Sequence, residues 1–320
     1  MAPGYSSVEG QRRFVAALRT WQTLLAIAFI WPSAGALAGE SDVAMAQEQE
    51  LILQWRQSRD ENLRQEHGWL TLVGFDWLSQ GENRIGSAPD NDIRLPGGPE
   101  HWGTIVLTDN TLLFNRAGDA AVTVDGVVAE QVELVADNVG EPTTVESGTI
   151  TFHVIYRESY ALRVSDSQAA TRINFAGVAS YEIQPTWRIE GRLIPAEKGQ
   201  TIDIGNVLGQ VSPTPVLGTF EFEREGKAYQ LVGLGDESSS SVWFIFADRT
   251  SGHGTYGAGR FLYSEGLPQE GELVVDFNKA YNPPCAFNDY STCPLPPQAN
   301  RLDLAVTAGE KDVHQPADGT

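Results

Sequence analysis

Six polar residues stand at or near the ends of strand-like runs in the last quarter of this 320-residue sequence. Asp248 ends "SVWFIFAD", Arg260 opens "RFLY", and Glu310 with Lys311 closes the run that begins "RLDLAVTA". Asp276 and Asn278 fall two apart in "ELVVDFN", a spacing that puts both on one face of a strand. Were these groups to meet in one recess, Arg260 and Lys311 could hold an anionic or hydroxylated ligand. Asp248, Asp276 or Glu310 could then act as general acid or base. The same residues would serve equally well as loop-anchoring hydrogen bonds and ion pairs, and the sequence does not separate the two readings.

Between those groups lies "DFNKAYNPPCAFNDYSTCPLPPQANRLDL", with both cysteines of the chain and five of its prolines. Seven residues separate Cys285 from Cys293, so a disulfide would close a short local loop, contributing about 2 to 3 kcal/mol by loop entropy. A zinc site is the sharper alternative. It would need two or more further ligands, such as His253 or His314 from elsewhere in the chain. Spacing and composition favour the disulfide, with no metal and no cofactor expected.

Familiar catalytic patterns are absent. The sequence holds no G-x-S-x-G, no H-E-x-x-H and no Gly-Lys-Ser/Thr. "GHGTYG", residues 252 to 257, spells G-x-G-x-x-G, but "AGRFLY" follows it, a strand where a dinucleotide site requires a helix. A glycine-rich turn between two strands is the better account.

Arg12, Arg13 and Arg19, the apolar run "WQTLLAIAFIW" and Ala36-Leu37-Ala38 form the three parts of a secretory signal peptide over residues 1–38, with Gly39 as the mature start. An amphipathic helix is expected over 39–66, with Leu51, Ile52, Trp55 and Leu63 on one stripe and Glu48, Glu50, Arg56, Asp60 and Glu61 elsewhere. It is expected to pack on the β-domain that follows. From residue 67 onward, short runs rich in Val, Ile, Thr, Phe and Tyr alternate with Gly, Asn, Asp and Pro, which argues for an all-β chain. Asp125-Gly126 between "AVTV" and "VVAE" marks a two-residue hairpin, because both turn positions need positive φ. "VWFIFA" is apolar on both faces, as a central buried strand should be. Spaced prolines and glycines over 185–215 read as a connecting region. The expected order is a β-sandwich over 67–165, a C-terminal antiparallel β-sandwich or barrel over 166–311, and a frayed tail over 312–320.

"NRIGSAPDNDIRLP", residues 83 to 96, resembles the opening strands of forkhead-associated domains, which are β-sandwiches that bind phosphothreonine. Ser87 stands where that family places a phosphate-holding Arg, and "PEHWGTI" replaces its Ser-Arg-x-His box. The resemblance therefore implies the sandwich and not the phosphopeptide activity. "TYGAGRFL", "DFNKAYNPPCAF", "CPLPPQANRL" and "AGEK", with "WLTLVGFDWL" upstream, resemble the bacterial and archaeal family known as domain of unknown function 1684, from about Trp55 to Lys311. That resemblance implies no activity. Its signature falls on Thr255, Tyr256, Gly257, Arg260, Asp276, Asn278, Tyr281, Asn282, Cys285, Cys293, Asn300, Arg301, Glu310 and Lys311. It adds Tyr256, Tyr281, Asn282, Asn300 and Arg301 to the candidate ligand-binding residues.

Beyond residue 38 the chain holds 19 Lys and Arg against 41 Asp and Glu, a net charge of −22. Such a surface repels nucleic acid and anionic membranes, and no transmembrane segment is expected in the mature chain. The expectation is an exported periplasmic or extracellular protein that binds a small polar or anionic ligand in its C-terminal β-domain. A hydrolase or isomerase using a carboxylate is the second reading, and a protein-docking scaffold the third.

Overall fold

A computed structural model describes residues 34–314 of the chain. The signal-peptide reading falls almost wholly on residues outside that range. The expected frayed tail is described only as far as residue 314, and there Asp312 N donates to Gly254 O. The described residues from 45 onward pack as one unit, and among the described residues no helix is long and apolar enough to cross a membrane.

The fold is mostly β with one long helix ahead of the strands, α1 (Ala34–Leu63). Ten strands follow in the first half: β1 (Leu72–Trp77), β2 (Gly81–Gly86), β3 (Ile93–Arg94), β4 (Gly103–Thr108), β5 (Thr111–Arg116), β6 (Thr123–Val124), β7 (Gln131–Glu133), β8 (Val145–Ser147), β9 (Ile150–Tyr156) and β10 (Tyr160–Asp166). They form two five-stranded sheets, β1-β10-β9-β8-β6 and β3-β2-β4-β5-β7. Alternation along each strand sends Ile85, Ile105 and Phe114 from one sheet, and Phe152, Val154 and Leu162 from the other, into a shared core. Trp102 is fully buried there, its ring 5.8 Å from that of Phe152. The Asp125-Gly126 turn forms as its residue types require, with φ of 48° and 76°.

The second half contributes β11 (Arg188–Pro195), β12 (Thr201–Gly205), β13 (Val211–Arg224), β14 (Lys227–Leu234), β15 (Trp243–Phe246), β16 (Arg260–Tyr263) and β17 (Glu272–Asp276). Their order is β16-β15-β14-β13-β11-β17, with β12 pairing on β13. The two edges meet: Ser264 bridges Val275, and Glu265 N donates to Val274 O. The sheet thus curls into an incompletely closed barrel around Phe220, Phe244, Phe246, Leu262 and Phe277. β15 is buried on both faces, with Ile245 packing in a second cluster beside Phe261.

Four expectations are corrected. The 185–215 region is not a connector, because β11, β12 and the start of β13 fill it, and Pro213 and Pro215 sit within the β12–β13 pairing. "RLDLAVTA" forms no strand: beyond the bridge of Arg301 to Ala247 its backbone is irregular, and the Val306 and Ala308 carbonyls are taken by a side chain, Arg260. The strand at Glu272 stops at Asp276, whose carboxylate accepts Asn278 N and starts a turn of 3-10 helix. Asp276 and Asn278 therefore do not share a strand face. Finally, α1 packs on the second half. Arg56 and Arg59 reach the Asn278 and Asn282 carbonyls, and Trp55 lies 6.2 Å from Tyr281 between ring centroids. Leu51, expected on the buried stripe, is 61 % exposed. Ile52, Trp55, Arg56, Arg59, Asp60 and Leu63 form the inward stripe instead.

Cys285 and Cys293 form a disulfide, so the zinc alternative falls. Among the described residues no group of three or more His, Cys, Asp or Glu could hold a metal ion. The bridged loop joins the two halves: Asn288 Nδ2 donates to Trp69 O at 3.0 Å, and Thr292 Oγ1 accepts from Arg157 Nε at 3.1 Å. Replacing both cysteines with serine should lower unfolding free energy by about 2 to 3 kcal/mol, read by denaturant titration. The loop's other bonds should keep the folded spectrum intact.

Candidate functional site

Arg260 is completely buried, and its side chain organises the end of the chain. Its Nη2 donates to Asp248 Oδ2 at 2.9 Å and to Val306 O at 3.0 Å, while Nη1 reaches the carbonyls of Ala308 and Glu310. Asp248 Oδ1 accepts from Thr250 N, Thr250 Oγ1 and Val306 N. Both side chains of this ion pair have no exposed surface. An unpaired charge at such a depth would cost several kcal/mol, so the pair holds only because nearly every polar atom is matched. Gly309 lets the chain pass: its φ is +76°, and a Cβ there would lie 2.4 Å from Ala280 O.

The chain then delivers Glu310 to α1. Oε1 of Glu310 accepts from Arg59 Nε at 3.1 Å and Oε2 from Asn282 N at 2.6 Å. Burial raises the Glu310 pKa above the ordinary carboxylate range, and the Arg59 charge only partly opposes it. Asp276 is also raised by burial, against the hydrogen bonds of Asn278. Its Oδ1 accepts from Asn278 N and Nδ2, while Oδ2 has no hydrogen-bond partner and lies 3.9 Å from Lys279 Nζ.

The remaining expected site residues are mostly occupied as anchors. Tyr256 donates to Cys285 O, and Asn278 exchanges two bonds with the Gln184 backbone. Asn282 Nδ2 holds Lys311 O, and the Lys311 ammonium lies 5.2 Å from the centre of the Tyr181 ring. Asn300 bonds Val232 N, Val232 O and Ile245 O, bridging β14 and β15 where their own ladder contains a single residue pair. The Arg301 side chain is exposed. Distant segments do converge, and what they build is a buried polar layer.

Above that layer lies an open cleft of about 480 Å³. α1 supplies one wall with Trp55, Ser58, Arg59 and Asn62. The barrel seam supplies the other with Tyr263, Ser264, Glu265, Lys279 and Tyr281. Of the expected site residues only Tyr281 lines it. The Arg59 guanidinium sits 4.8 Å from the centre of the Tyr281 ring, and the Tyr263 ring is within 14° of parallel to it, 6.4 Å away. Burial raises the Tyr281 pKa, so its hydroxyl stays protonated near neutrality. Lys279 Nζ lies 3.3 Å from Glu265 Oε1, and Arg188 bonds Glu265 Oε2 at 2.7 Å. Burial pushes the Glu265 pKa up, but the bonds and charges of Arg188 and Lys279 outweigh it and leave the group lowered.

Arg59, Tyr263, Glu265 and Lys279 line the cleft without being among the residues expected from sequence. Trp55, Arg59 and Leu63 at i, i+4 and i+8 were the available signal, since they share one helix face. No pattern in "FLYSEG" or "FNKAY" marks the others, which meet only because the sheet closes on itself.

Because burial raises Glu310 and Asp276, the folded state holds their protons more tightly than the unfolded chain does. Their contribution to stability is full below the ordinary carboxylate range and is lost as pH rises through the raised values. Asp92 works with the opposite sign, but the hydrogen bonds of Arg84 hold it down at about 2, below that window. His153, held down at about 4 by burial, adds stability as pH rises to its ordinary 6.5, so unfolding free energy should fall as pH rises from there through the raised carboxylate values, and Glu310→Gln should make that slope shallower. Denaturant titrations of both proteins across that range check it.

No curated protein matches the chain. Among solved structures, an uncharacterised protein of Haloarcula marismortui, determined by solution NMR, is 28 % identical, covers 45 % of this chain and 81 % of its own, and superposes with a TM-score of 0.38. The family match is narrower than the resemblance that began near Trp55. It leaves out α1 and residues 83 to 96, whose forkhead resemblance has no support among the comparisons, and takes in the barrel, the disulfide loop and the barrel wall of the cleft. Over residues 173–311 the chain matches the family described as "Protein of unknown function (DUF1684)".

Proposed function

We propose that this is a non-catalytic protein that binds a small polar molecule in the cleft between α1 and the barrel seam, and that it works outside the cytoplasm. The observation that carries the binding reading is the cleft itself. It has a volume in the range of small-ligand sites, about 300 to 1,000 Å³, and combines three aromatic side chains with hydrogen-bonding and charged groups. The disulfide and the signal-like N-terminus support the location.

The placement of the carboxylates favours binding over catalysis: Asp276 has a raised pKa and an unpartnered Oδ2 but is buried and does not line the cleft. Glu310 has the raised pKa of a general acid, but Arg59 and Asn282 occupy both its oxygens and it does not line the cleft. Glu265 does line it, yet its pKa is lowered, which makes it a poor proton carrier near neutrality. Asp248 spends its carboxylate on Arg260 and the backbone.

Thermal shift of the full chain against a panel of sugars, amino acids, nucleotides and small carboxylates tests the reading. At least one compound should raise Tm, and Ser58→Trp, which fills the cleft from α1, should abolish that shift. A panel without hits, or hits indifferent to Ser58→Trp, would refute it.

A further inference from the structure

We infer that the ligand of this cleft is uncharged and polyhydroxylated, a saccharide of one or two rings; this rests on the cleft being a binding site. Charge carries the argument. Both cations lining the cleft already have carboxylate partners: Arg59 is bound to Glu310, and Lys279 sits between Glu265 and Asp276. An anion would have to compete with those carboxylates and would face Glu265 across the cleft. A cation would meet Arg59 and Lys279 on entry. Either charge therefore pays a repulsion that a neutral ligand avoids.

A hydroxyl fits the pair that a charge does not. It can accept from the Lys279 ammonium and donate to the Glu265 carboxylate at once, leaving both charges compensated. Ser58 and Asn62 add neutral side chains that both donate and accept, whereas the Ser264 hydroxyl is already held between Val242 N and Gly266 O. The rings supply the other half of the match. Trp55, Tyr263 and Tyr281 give apolar surface that also carries a polar tip, and a sugar ring likewise presents C–H surface bordered by hydroxyls. A planar base is the rival for aromatic walls. Inserting one between two rings requires about 7 Å, twice the van der Waals separation of carbon atoms. The near-parallel Tyr263 and Tyr281 rings are 6.4 Å apart between centroids and leave no such slot.

Titration calorimetry of the full chain tests the inference with cellobiose, maltose and chitobiose as neutral probes, digalacturonate as an acidic probe of equal size, and adenosine as a planar one. At least one neutral disaccharide should bind at least tenfold tighter than digalacturonate and adenosine. Tyr263→Ala should weaken it at least tenfold, and Ser58→Trp should abolish it. Glu265→Gln, which removes a partner of Lys279, should shift preference toward digalacturonate at least tenfold. Circular dichroism confirms that each variant is folded. Preferential binding of digalacturonate or adenosine that Ser58→Trp blocks would overturn the saccharide assignment and keep the cleft as a site. Absence of any binding that Ser58→Trp blocks would overturn both.

Discussion

The second half of this protein depends on one buried cation. Arg260 starts β16, yet its guanidinium does the work of a missing strand, gathering carbonyls from residues 306 to 310 that have no ladder of their own. A planar group with several fixed donors can do this where a lysine could not, because its hydrogen bonds leave in set directions and several acceptors are met at once. Asp248 supplies the counter-charge and in the same gesture fixes Val306 N. That pair fixes the approach of the segment carrying Glu310, which the Ala280 and Ala179 carbonyls and Asn282 then hold against α1.

Most of the chain's unusual polar residues serve this kind of bonding. Asn300 spans a gap between β14 and β15, Asn278 holds the Gln184 backbone, and Tyr256 holds the disulfide loop. Each satisfies backbone groups that irregular segments would otherwise leave buried and unpaired. Such groups sit close together and look like a catalytic constellation in sequence because both kinds of site need polar side chains at strand ends. They differ in whether any atom is left over for a ligand, and here few are.

The β-rich character, the Asp125-Gly126 hairpin, the buried strand at Trp243–Phe246 and the disulfide were all legible, since each follows from local residue types. The irregular run from residue 301 was not. Its apolar alternation is that of a strand, and only the distant Arg260 diverts its carbonyls. The helix was misread for a related reason. Apolar periodicity marks Ile52, Trp55 and Leu63 but leaves Arg56 and Asp60 off the stripe, whereas these two dock through hydrogen bonds to the Asn278 carbonyl and Val178 N. Closure of the barrel, which sets Tyr263 beside Tyr281, is a long-range event with no local signature.

Because α1 forms a whole wall of the cleft and is seated largely by polar bonds, occupancy and helix docking are thermodynamically linked. A molecule filling the gap would touch both sides and act as mortar, so its binding energy would add to the cohesion of helix and barrel. By the same reciprocity, any shift of the helix that opened the wall would weaken the hold on such a molecule.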